Sequence, residues 1–267
     1  MTRCNQLLIL VATSLALGAC ATLPQGGITE GSAARPYSDM QPQNAAQARA
    51  KINVELGMAY LEVGRFDVAL DEARAALGHD SSYPPAYHLM GLVYMLLEDI
   101  PAARENLQRA LRGAPNDPDF NNSYGWFLCA NGSPQEGLKH LNTAVRNPYY
   151  RFGTRAYTNA GLCYLKLNDD AQAAEQFRRA LSLEPNNVQA MFHLASIAYR
   201  QGDYLAARQQ LIALHQRREP TAESAWLGLR TERRLGNRES EASYAAQLRG
   251  RFSDSAEYRS MMQGQFE

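Results

Sequence analysis

The feature that most constrains this chain is a period. Glycines at 57, 91, 125 and 161 are separated by 34, 34 and 36 residues, and other residue types recur in step with them. Three residues on stand Tyr60, Tyr94, Leu128 and Tyr164; seven on stand Gly64, Glu98, Gly132 and Asn168. Twelve on come Ala69, Ala103, Gly137 and Ala173, and nineteen on come Ala76, Ala110, Ala144 and Ala180. Pro115 and Pro185 close the second and fourth units. Ala195 opens a fifth unit, with Gly202, Ala207 and Leu211 in step. Leu229 opens a sixth, with Gly236 and Leu248, although Glu232 and Glu241 replace the tyrosine and the small residue. A chain repeating at this interval stacks small units, each burying its neighbour's apolar face.

Each recurring type has a physical reason. The leading glycine lies on a first helix, A, where a second helix, B, crosses closely, and the two alanines let B approach. Tyrosine fills the space between neighbouring helices. The residue seven on ends helix A, where glycine or asparagine adopts a left-handed conformation. Proline opens the next helix or turn without needing its N–H. This is the tetratricopeptide repeat (TPR) pattern. It predicts an all-α fold, a right-handed superhelix of six TPR repeats over residues 45–267. The two extra residues of the third unit fall near Asn147-Pro148-Tyr149-Tyr150-Arg151-Phe152 and predict a longer loop.

Upstream of the repeats the composition changes twice. Arg3, an apolar run from Leu7 to Leu17, and then Gly18-Ala19-Cys20 have the layout of a secretory signal peptide. A cysteine at the cut is the lipobox of bacterial lipoproteins. Residues 1–19 are thus expected to be removed, and Cys20 to carry the acyl chains. Several chains together hold a protein durably at a bilayer, where one alone is reversible. Ala21 follows, not the aspartate that favours retention at the inner membrane, so the expected destination is the outer membrane, facing the periplasm. Residues 20–44, with Pro24, Gly26, Gly27, Gly31, Pro36 and Pro42, read as a flexible tether.

Lys+Arg and Asp+Glu both number 27, so the formal net charge is zero and nothing global favours nucleic acid. The run before Cys20 is too short to span a bilayer, leaving the lipid as the membrane contact. No phosphate loop, dinucleotide fingerprint or GxSxG is present, and His79, His88, His140, His193 and His215 show no metal-ligand spacing. Asp169-Asp170 falls at a helix-to-helix turn, not in a cleft. Arg230, Arg233, Arg234 and Arg238 are interleaved with acids, as on a solvated face. The expectation is a protein that binds other proteins, with no catalytic residue, no metal and no cofactor.

Cys129 and Cys163 fall four and two residues beyond their repeat origins, on adjacent A helices. Helices pack about 8–10 Å apart, and a disulfide needs Cα atoms about 4.4–6.8 Å apart. The pair is read as a disulfide in an oxidising compartment, with two buried thiols as the alternative. A helices line the concave side of such an array. Positions one, four and five beyond each origin, and three before it, are expected to face the groove. They include Val54, Met58 and Leu61; His88, Leu92, Met95 and Leu96; Asn122 and Trp126; Thr158; Phe192 and Ser196. The first repeats are apolar there, and Met58, Leu61, Leu92, Met95 and Trp126 are the candidate partner-binding residues. Part of this set is expected to pack in the core instead.

Asn121-Asn122-Ser123-Tyr124-Gly125-Trp126-Phe127-Leu128-Cys129, Asn147-Pro148-Tyr149 and Asn159-Ala160-Gly161-Leu162-Cys163 go beyond any general repeat consensus. With the lipobox, tether and six repeats, they resemble the type IV pilus biogenesis lipoproteins, PilF or PilW. The resemblance implies a pilotin. Such a protein binds the pilus secretin, brings it to the outer membrane and promotes its assembly into a ring. It implies neither enzyme activity nor a cofactor. The alternative is a general TPR scaffold lipoprotein serving β-barrel or cell-wall machinery.

Overall fold

The computed structural model describes residues 35–266, so the expected signal peptide, Cys20 and most of the expected tether lie outside the described residues. Among the described residues there are thirteen α-helices, one turn of 3-10 helix and no strand. The first twelve helices form six A/B pairs. These are α1 (Ala45–Glu62) with α2 (Phe66–His79), α3 (Pro84–Leu96) with α4 (Ile100–Gly113), and α5 (Pro118–Ala130) with α6 (Pro134–Val145). Then come α7 (Gly153–Lys166) with α8 (Asp170–Leu183), α9 (Val188–Arg200) with α10 (Tyr204–His215), and α11 (Ala222–Arg234) with α12 (Arg238–Arg251). Each A helix packs chiefly on the B helix that follows it, and each B helix on the next A helix. The result is an all-α TPR superhelix.

The turn residues act as their spacing predicts. Gly64, Glu98, Gly132, Asn168, Gly202 and Gly236 all have φ between +57° and +86°. Capping residues follow at once. The Asp99, Asp169, Asp203 and Asn237 side chains accept the amides of Ala102, Gln172, Ala206 and Ser240. Asp169 is therefore a helix cap, and Asp170 pairs with Arg200 at 2.6 Å. Glu98 holds the left-handed conformation against a Cβ clash. Glu98→Gly is expected to raise stability by about 1 kcal/mol, read from the denaturation midpoint; an unchanged or lowered midpoint would contradict this.

Two features at the C-terminal end escape the period. In the sixth repeat the helix ends keep the register set by Leu229, but the close crossing falls one residue earlier. A Cβ on Gly228 would sit 2.5 Å from the Tyr244 ring. A thirteenth helix, α13 (Ala256–Met262), then folds back with Phe266 onto α11 and α12. It covers Leu229, Leu248 and Trp226, faces a seventh repeat would otherwise bury.

The end of the expected tether is not loose. Residues 35–44 form a strap along the edge where the A helices begin. Tyr37–Asp39 make a turn of 3-10 helix, and Tyr37 packs edge-on against Tyr83. The Tyr37 amide donates to Asp117 Oδ2 at 2.6 Å, and Lys51 Nζ donates to the Ser38 and Met40 carbonyls. Asp39 pairs with Arg151, and the Arg35 guanidinium lies over the Tyr149 ring. Asp117, 2% exposed, also caps α5 through the Phe120 amide. Burial pushes its carboxyl above the usual range, against the pull of these amide hydrogen bonds. The strap ties the segment before α1 to the third and fourth repeats.

Candidate functional site

Along the A-helix face, neighbouring repeats are joined by polar side chains. His88 Nε2 lies 2.8 Å from Ser123 Oγ, the Asn159 amide donates to Asn122 Oδ1 at 3.0 Å, and the Asn187 amide donates to Thr158 Oγ1. His88, Asn122 and Thr158 are buried, as is Val54. These members of the expected groove set are therefore core. In the first four repeats the position three before the origin points between adjacent A helices, not into the groove. Burial holds the His88 imidazole down to about 3, with Arg155 adding to the effect, so it is neutral at any physiological pH.

Met58, Leu61, Leu92, Met95 and Trp126 are all half-buried. Met58 and Leu61 pack against the core of the first two repeats, Met95 against that of α4 and α5, and Trp126 against the Cys129–Cys163 region. Leu92 lies outside these packed clusters, and Leu96 is 58% exposed. Together they form an apolar strip whose roots serve the core and whose tips reach solvent. Val63, Leu97, Ile52 and Leu56 add further exposed apolar surface at the same end.

A second opening lies farther along. Gln189, Phe192, His193 and Ser196 of α9 face Glu223, Trp226, Leu227 and Arg230 of α11 across a cleft of about 510 Å³, closed at one side by Glu257. Arg230 stacks over the Tyr199 and Trp226 rings. The His193 imidazole is held down to about 4, first by burial and then by Arg200. Phe192 and Ser196 belong to the expected groove set. Trp226 and Arg230 do not, although they stand three before and one beyond Leu229, where the same rule would have found them. Among the described residues no group of three or more His, Cys, Asp or Glu is arranged to hold a metal.

The tetratricopeptide repeat profile matches residues 54–118, 88–151 and 158–223. The chain belongs to the tetratricopeptide repeat family. Within it, the chain resembles the type IV pilus assembly protein PilF of Pseudomonas aeruginosa. The two are 29% identical over 205 residues, which is 77% of this chain and 81% of that one. The solved structure of Pseudomonas aeruginosa PilF superposes with a TM-score of 0.77 at 27% identity, over 83% of this chain and all of PilF. The crystal structure of PilW, described as a widely conserved type IV pilus biogenesis factor, gives 0.75 at 27% identity, over 80% and 98% of the two chains. The PilF/PilW resemblance thus covers about four fifths of this chain.

The residues that carry that resemblance hold the centre of this TPR array. Nine of the thirteen residues of α5 are buried. The Asn121 amide donates to the Pro115 and Asp117 carbonyls, fixing the loop before α5, and its Oδ1 faces His140 Nδ1 at 2.9 Å. Asn122 ties α5 to α7 through Asn159. Cys129 and Cys163 are joined in a disulfide, with Cα atoms 5.5 Å apart. The bond sits against Gly137, where the other early repeats carry alanine. A Cβ there would lie 2.5 Å from Cys129 Sγ and 2.5 Å from the Gly125 carbonyl oxygen. The missing methyl group makes room for the disulfide. Free-thiol counting on denatured, unreduced protein is expected to find neither cysteine. Replacing both by serine should cost roughly 3 kcal/mol, given the 34-residue separation. Two titratable thiols, or an unmoved denaturation midpoint, would reject the pairing.

Proposed function

We propose that this chain is a type IV pilus biogenesis lipoprotein: a pilotin that binds the pilus secretin on its A-helix face and brings it to the outer membrane for ring assembly. The observation that carries the reading is the likeness to PilF and PilW, which spans about four fifths of this chain and at least four fifths of each of theirs. The residues supply the mechanism. Acylated Cys20 gives the destination. The fifteen residues from Cys20 to Arg35 can reach about 50 Å when extended. The apolar strip at Met58, Leu61, Leu92, Met95 and Trp126 gives a subunit segment a surface to bury. The TPR array is a scaffold for protein contacts and acts without a catalytic centre.

Two measurements test the reading. Isolation of the protein from envelope extracts is expected to bring down the secretin; recovery of barrel-assembly or wall-synthesis proteins in its place would favour the general scaffold. Cys20→Ser is expected to leave an unprocessed or mislocalised protein that takes up no labelled palmitate. Wild-type fractionation with the outer membrane in that variant would remove the anchor from the proposal.

A further inference from the structure

We propose that the corner of the array formed by loop 147–153 is a membrane-docking surface, which seats Tyr149 and Phe152 in the interfacial layer of an anionic bilayer. The proposal rests on the lipid-anchor reading for its setting, but its chemistry is carried by other residues. The loop is the one that lengthens the third repeat period from 34 to 36 residues. It leaves Tyr149 47% and Phe152 49% exposed, and Leu183, 58% exposed, borders it at Gly153. Tyr150, buried beneath, holds the loop in place through its edge-on contact with Phe152.

Both exposed rings carry a cation. Arg35 lies over Tyr149 at 5.4 Å and Arg155 over Phe152 at 4.9 Å. Arg146 and Arg151 flank the loop and are exposed. Aromatic rings beside guanidinium groups suit the headgroup layer, where the ring meets acyl chain and the cation meets phosphate. Asp39 pairs with Arg151, so that pair adds no net charge and the cations left to meet a headgroup are Arg35, Arg146 and Arg155. Of the acids nearby, Asp117 is buried and Asp119 half-buried, and Glu184 beside Leu183 is exposed. The opposite edge, where A helices turn into B helices, carries both signs, with Glu98, Asp99, Asp169 and Asp203 beside Arg65, Lys166 and Arg238, and Asp170 paired with Arg200.

The place where the described chain begins points to the same occupant. The strap delivers the chain at Arg35, beside Tyr149, not at the free end of α1. An anchor at Cys20 therefore leaves the body from this corner, fifteen residues away. A tether of that length holds the corner near the bilayer at an effective concentration in the millimolar range, so a contact too weak to act alone is populated. Seating the loop would stand the A helices on their N-terminal ends and leave their groove open sideways, parallel to the membrane.

The test uses the chain from residue 20 with Cys20→Ser, which retains every described helix and has no acyl chain. It is mixed with vesicles of phosphatidylethanolamine and phosphatidylglycerol, or of phosphatidylcholine alone, and floated. Binding to the anionic vesicles is expected, falling with salt and by about fivefold for each arginine removed. Tyr149→Ser with Phe152→Ser should lower binding by about tenfold or more. Val63→Ser with Leu97→Ser, on the opposite edge, should leave it unchanged; circular dichroism checks that both variants are folded. Equal binding by the two double variants, or no flotation of the parent chain with anionic vesicles, would overturn the proposal. Acylation is read separately from the mass of the Cys20 peptide in envelope extracts, so an unmodified Cys20 would defeat the anchor while the vesicle result stood.

Discussion

Gly137→Ala is expected to destabilise the array by about 3 kcal/mol, the upper end of what one added methyl group usually costs a packed core. The added Cβ would meet the Gly125 carbonyl oxygen and Cys129 Sγ at 2.5 Å, and the Cys129 amide nitrogen at 3.0 Å. Two of these are backbone atoms of α5 and the third belongs to a cross-linked sulfur. None can rotate away as a flexible side chain would. The remedy is for α5 and α6 to separate, which opens the core around Leu138 and Leu141. The figure is net of the roughly 1 kcal/mol that alanine returns over glycine inside a helix. Gly78→Ala supplies the comparison. That residue lies near the end of α2 with nothing within 4 Å of an added Cβ, so the same substitution should stabilise slightly. Denaturation midpoints check both. If Gly137→Ala is as stable as Gly78→Ala, the crossing is looser than its distances imply.

The second large effect concerns binding. Leu92→Glu with Leu96→Glu is expected to leave a folded, membrane-attached protein with about a tenth or less of the normal secretin rings. Burying about 200 Å² of the strip would contribute on the order of 5 kcal/mol before association costs. Two carboxylates placed within it would forfeit much of that. Leu92 and Leu96 are preferred to Leu61 because Leu61 also packs against Ala69 and Leu70, so its loss would confuse folding with binding. Leu205→Glu with Ile212→Glu, exposed on the outer B helix α10, should keep normal rings. Normal ring levels and pilus-driven motility in the Leu92/Leu96 variant, with helical content intact, would sink the groove while leaving the fold untouched.

The repeat was legible because it is local. A turn needing a left-handed residue every 34 positions writes itself into the chain, and Gly64 through Gly236 obey it. What the period hides is contact between residues in different phases. The departure at Gly137 is visible in sequence, but its reason lies eight residues earlier, in the disulfide of Cys129 to the next repeat. Gly228 breaks step by one, where the Tyr244 ring sits at the crossing. The strap was hidden more deeply. Its Pro- and Gly-rich lead-in reads as tether, while its last ten residues dock through a backbone N–H onto a carboxylate 80 residues away. Of the groove set, the buried members follow helix geometry. Position three before the origin looks toward the neighbouring A helix in the first four repeats and into the cleft at Phe192 and Trp226, and a one-dimensional register does not distinguish the two directions.

The strap has a mechanical consequence. A stack of repeats held only by nearest neighbours is weakest when pulled by its end, since the terminal unit can peel and the rest follow in turn. Here a pull on the incoming chain meets Arg35 on Tyr149, Asp39 on Arg151 and Tyr37 on Asp117 before it reaches α1. Load enters the stack at its middle, as shear across several helix starts, beside the covalent link between the third and fourth units. The first repeat, which carries Met58 and Leu61 of the apolar strip, is thereby spared the strain of such a pull.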